Sequence, residues 1–158
     1  MSPPPSPLSE EERRTLLELA RHAILESVCH ERVPETPIVL GAVAECRGAF
    51  VTLHVNGKLR GCIGHVSPKV SLAETVAQCA ILAAQEDIRF DAVRPAEIPE
   101  LEIEISVLTD PVPVKPEEIE IGRHGLLVMM GGRRGLLLPQ VASERGWDRQ
   151  RFLEETCR

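Results

Sequence analysis

The dipeptide Asn56-Gly57, set between the β-rich runs Ala49–Val55 and Lys58–Ile63, constrains this chain more than any other feature. A two-residue hairpin loop needs positive φ at both central positions, which asparagine and glycine adopt readily. A loop of that length places Val51 opposite Cys62 and Leu53 opposite Arg60, with all four side chains on one face. Arg60 and Cys62 are two apart in one strand, so a guanidinium is expected beside a thiol. Glycines frame the pair in Arg60-Gly61-Cys62-Ile63-Gly64, and they let a backbone or a ligand approach closely.

The plan recurs. Gly125–Met130, the turn Gly131-Gly132 and Arg134–Leu138 read as a second hairpin, again with an Arg-Gly step opening the return strand and a helix behind. That is the outline of an internal repeat. Ser9 followed three residues later by Glu12 is a capping box. Behind it Leu16, Leu17, Ala20, Ala23, Ile24 and Val28 recur at helical spacing, which predicts an amphipathic helix over residues 10–30. Ser71 and Glu74 form a second capping box, opening a helix over residues 72–85 that is apolar nearly all round and therefore buried. Leu101, Ile103, Ile105 and Val107 alternate with Glu100, Glu102, Glu104 and Ser106, the pattern of a half-buried strand with an acidic face. A short helical turn follows Pro116, and Gln140–Arg145 and Asp148–Cys157 read as helices, the second capped by Asp148. Helices mixed with antiparallel hairpins make the fold class α+β.

A chain of 158 residues is enough for one core, so a single domain over residues 9–158 is expected behind a disordered Pro-rich tail at 1–8. Only 3% of residues are aromatic, which leaves that core to Leu, Ile, Val and Ala. A formal charge of −6, from 24 acidic and 18 basic residues, argues against nucleic-acid binding. The apolar runs are too short for a membrane span and the N-terminus is unlike a signal peptide, so a cytoplasmic protein is expected. The 5 cysteines contain no C-x-x-C pair, which suits reduced thiols. No histidine spacing suggests a metal and no Gly-rich stretch forms a phosphate loop, so neither metal nor cofactor is expected.

Cys62 is the sharpest candidate for chemistry. A neighbouring cation and a nearby helix N-terminus favour a thiolate, Arg60 would be the cation, and His65 stands close enough in sequence to serve as base. Core packing is the competing reading, since free cysteine is among the most buried residue types. Arg60 either binds an anion or pairs with Glu102 or Glu104. Asp87 and Arg89 follow the buried helix and either reach the same pocket or anchor a loop. Glu104 and His124 are outer candidates, although a histidine before a glycine often serves a turn. Glu74 is explained by its cap.

Leu59-Arg-Gly-Cys-Ile-Gly64 resembles the signature of the AMMECR family. Asp87–Val93, Leu101–Leu108, Ile121–Leu126, Gly135–Val141 and Trp147–Cys157 follow the family's pattern in order, from residue 9 to the end. The resemblance implies two hairpin–helix repeats around a curved, barrel-like antiparallel sheet. It also implies a further C-terminal segment after Cys157-Arg158, and an edge left open there would invite homodimerisation. It brings no established reaction. It does imply partnership with Memo-like proteins and radical S-adenosylmethionine enzymes. Two functions are expected to compete, a small enzyme or catalytic accessory with a pocket around Arg60 and Cys62 and a non-catalytic interaction module, with nucleic-acid binding as a minor third.

Overall fold

The computed structural model describes residues 6–158. The first five residues of the expected tail therefore lie outside the described ones. Leu8 already packs against the core, and the Ser6 carbonyl accepts a bond from Arg47 at 3.0 Å. The chain groups into two compact units, Met1–Asp110 and Pro111–Arg158.

In the first unit α1 spans Glu10–His30, starting at Ser9 with both halves of the capping box formed. The strands β1 (Ala49–Val55) and β2 (Lys58–His65) form the expected hairpin. Asn56 and Gly57 turn it with φ of 51° and 72°. Helix α2 covers Leu72–Gln85 behind its own complete capping box, and β3 covers Glu102–Val107. The sheet order is β2-β1-β3, antiparallel throughout. Its inner face meets the helices: Val51 and Leu53 of β1 pack with Leu16 and Ile24 of α1 and with Val76, Cys79 and Ala80 of α2. All of these are essentially inaccessible to solvent, so the apolar stripes read from the sequence make one continuous core.

In the second unit β4 (Leu126–Met130) and β5 (Arg133–Leu137) form a hairpin around Gly131 and Gly132, whose φ are 55° and 82°. Helix α3 (Pro139–Glu144) and helix α4 (Arg149–Thr156, capped by Asp148) follow. Phe152, Leu126, Ile119 and Ala142 make the small core, with Leu137, Trp147 and Leu153 around it.

The barrel-like sheet is not what forms. Among the described residues β1, β2 and β3 make one open sheet, while β4 and β5 make a separate two-stranded one, and neither closes on itself. Among the described residues the strands of each sheet, three and two, are too few to close. The expected repeat does have a physical counterpart. A Cβ on Gly61 would collide with the carbonyl oxygen of Ala83 in the helix behind the first hairpin, and one on Gly135 would collide with that of Thr156 behind the second. In each unit the glycine after the strand arginine is the point where helix backbone rests on strand backbone. No helix among the described residues is long and apolar enough to cross a membrane.

Candidate functional site

The register of the first hairpin departs from the simple two-residue-loop expectation. Val55 pairs with Lys58 and His54 with Leu59, but Leu53 then pairs with Gly61 and Thr52 with Cys62. Arg60 is the additional residue of a β-bulge, and every position beyond it shifts by one. Ile63, rather than Cys62, therefore stands opposite Val51 and packs against the core. Cys62 emerges on the outer face, half-buried, with its Sγ 3.2 Å from the hydroxyl of Thr52. On the same face the Phe50 ring covers Gly64, where a Cβ would strike it. Glu104 stands opposite Thr52 on the far side, so Cys62, Thr52 and Glu104 form one row across the three strands.

The outer edge of β2 is held by the loop after α2. Asp87, only 6% exposed, accepts the Cys62 N–H at 2.9 Å through Oδ2. It also accepts the Arg89 N–H at 3.1 Å, Arg89 Nε at 2.9 Å and Arg89 Nη2 at 2.7 Å. These bonds, those from the Arg89 side chain foremost, hold its carboxyl well below the usual carboxylate range. Arg89 is raised in turn, chiefly by Asp87 and more weakly by the charge that Cys62 can carry. Its Nη2 also lies 3.5 Å from the Cys62 carbonyl oxygen, and its guanidinium sits over the Phe90 ring at 5.5 Å.

Arg60 does not flank the thiol as a free cation. Its Nε and Nη2 grip Glu97 at 2.9 and 3.2 Å, Nη1 donates to the Asp91 carbonyl at 2.7 Å, and Nη2 also donates to that of Ala92 at 3.3 Å. Ion pairing is thus its role, but the partner is Glu97 and not Glu102 or Glu104. The cation next to Cys62 is Arg89.

A family model for AMMECR1 matches residues 17–158. The chain belongs to the AMMECR1 family. A protein of Methanothermobacter thermautotrophicus is 44% identical to it over 160 residues, covering 96% of this chain and 83% of that one. One from Thermococcus gammatolerans is 46% identical over 154 residues, covering 90% and 75%. The crystal structure of an uncharacterised protein from Pyrococcus horikoshii superposes with a TM-score of 0.90 at 40% identity, covering 95% of this chain and 80% of that one.

Within this AMMECR1-family chain the remaining candidates separate. His65 ends β2 and is exposed. His124 belongs to the second unit, where its Nδ1 accepts the Glu120 N–H at 3.1 Å, the bond of a turn histidine. Glu74 completes the cap at Ser71. Cys79 is core, its thiol pushed up to about 11 by burial. Among the described residues no three His, Cys, Asp or Glu gather closely enough to hold a metal ion.

Thr52, Glu97 and Phe90 were missed as neighbours of the signature. Gly61 inside a strand pattern is itself a bulge signal, and reading it so would have brought Thr52 beside Cys62. Glu97 lies in a 3-10 turn, Pro95–Glu100, whose Arg94-Pro95-Ala96-Glu97 start has capping spacing. Its Oε2 also accepts the Arg94 N–H at 2.8 Å.

Proposed function

We propose that this AMMECR1-family chain binds a small electrophilic molecule against the outer face of β1 and β2, with the Cys62 thiol as its working group. What supports the reading most is the bulge at Arg60, which turns the sulfur away from the aliphatic core and beside the Thr52 hydroxyl. A hydroxyl and a nearby guanidinium are groups that stabilise negative charge as it gathers on an attacking sulfur. Arg60 serves the scaffold in this reading, because its donors are committed to Glu97 and to two carbonyls. The chain would then act as a small enzyme or as the catalytic accessory of one.

Iodoacetamide labelling, resolved by cysteine with mass spectrometry, tests this at neutral pH. Cys62 should react faster than the exposed Cys29, Cys46 and Cys157, although it is the least accessible of the four, and buried Cys79 should react last. A Cys62 that lags behind all three exposed thiols ends the proposal.

A second reading, a non-catalytic interaction module, draws support from the use of Arg60, Glu97 and Asp87 in bonds internal to the fold. Memo-like and radical S-adenosylmethionine proteins are the partners the family resemblance suggests for it. Co-purification that survives Cys62→Ala, with no thiol-dependent turnover, would favour the module over the enzyme.

A further inference from the structure

We infer that Arg89 is the residue that selects anions at the Cys62 site, so that the site takes small electrophiles bearing a carboxylate or a similar negative group. The inference rests on the reading of Cys62 given above and adds the chemical class of its ligand. Three contacts fix the guanidinium: the two oxygens of Asp87, the Phe90 ring and the Cys62 carbonyl. A guanidinium already held in place loses little freedom when it binds a ligand. Nε and Nη2 face Asp87, whereas Nη1 has no partner among the described residues and the side chain is 55% exposed. The Asp87 carboxylate takes the Nε and Nη2 side of the guanidinium and offsets part of its charge, so a ligand meets the Nη1 side.

The surroundings orient the ligand as well. Ile88, next to Arg89 in the chain, is fully exposed. The acidic side chains of the sheet, Glu102 and Glu104, belong to β3 on the far side of β1. At the usual strand spacing that is about 10 Å from the Cys62 strand. A negative group is therefore drawn to the β2 edge, where Arg89 stands, and its electrophilic carbon can lie over the sulfur.

Iodoacetate and iodoacetamide differ in charge but share one reaction. The sulfur–carbon bond forms, the carbon–iodine bond breaks with iodide leaving, and the thiol proton goes to buffer. The expected result is that the iodoacetate-to-iodoacetamide rate ratio at Cys62 exceeds that of Cys29, Cys46 and Cys157 by about fivefold at low salt. The excess should shrink toward unity in about 1 M potassium chloride. Arg89→Gln should remove the excess, which is read as the ratio of the two reagents within each variant, so that a slowing of Cys62 common to both reagents leaves the comparison intact.

A wild-type ratio no higher than that of the exposed thiols overturns the inference, as does an excess that ignores salt or survives Arg89→Gln. Should Arg89→Gln fail to fold, the wild-type ratio and its salt response still decide. Fast iodoacetamide labelling without a preference for iodoacetate sinks only the role of Arg89. Slow labelling by both reagents sinks the Cys62 reading itself.

Discussion

Arg60 grips both oxygens of Glu97, Nε to Oε1 at 2.9 Å and Nη2 to Oε2 at 3.2 Å. The two side chains are only 17% and 20% exposed. This pair ties the signature strand to the 3-10 turn before β3, and it sets the first prediction. The Arg60 guanidinium first, then the Arg94 N–H, lowers the Glu97 carboxyl from 4.5 to about 2. A carboxyl depressed in the fold contributes stability that is complete above about pH 4.5 and is lost as pH falls toward 2. Glu97→Gln should cost about 1–2 kcal/mol at pH 7, the low end for charged hydrogen bonds because the pair is partly solvated. Urea unfolding at several pH values checks this, since the wild-type advantage should fade below pH 4.5.

Asp87→Asn should act on the same hairpin from its edge. An amide keeps one acceptor oxygen, so it cannot hold the Cys62 N–H and the Arg89 fork together. A loss of about 2–3 kcal/mol is expected, because the carboxylate is buried and fully bonded. Amide hydrogen exchange at Cys62 should quicken along with it. Unchanged protection there would mean that the loop does not hold the edge.

Gly61→Ala and Gly135→Ala should each destabilise by about 1–3 kcal/mol, since an added methyl meets helix backbone that cannot step aside. Gly57→Ala is the contrast: nothing lies within 4 Å of the new methyl, and only its φ of 72° opposes it. That change should cost about 1 kcal/mol. Thermal melts of the three variants would show whether the two strand glycines behave alike.

Glu31→Gly should stabilise the protein. Glu31 ends α1 with φ of 52° and ψ of 36°, a left-handed conformation that suits glycine, and it places an acidic side chain at the negative end of the helix. A gain of about 0.5–1 kcal/mol is expected, net of the greater freedom glycine has when unfolded. An unchanged or lower midpoint in urea would count against it.

Most of the architecture was legible because its signals are local. Ser9 with Glu12 and Ser71 with Glu74 marked helix starts that fall where expected, and Asn56-Gly57 marked its turn. The alternation of β3 separated its inner apolar side from its acidic side. The candidate site was legible only in part. Cys62, Asp87 and Arg89 do come together, but the partner of Arg60 lies 37 residues away in a turn with no periodic pattern. The bulge escaped because a hairpin turn fixes the pairing only next to itself, and an extra residue further along resets it.

That extra residue has a consequence for any relative or redesigned variant. Whether this sulfur meets water or oil is decided by parity, an odd or even number of paired positions between turn and thiol, and not by the thiol's own chemistry. Closing the bulge with every residue kept would set Cys62 opposite Val51 and seal it away, whereas excising Arg60 would close the bulge and leave Cys62 opposite Thr52, facing outward.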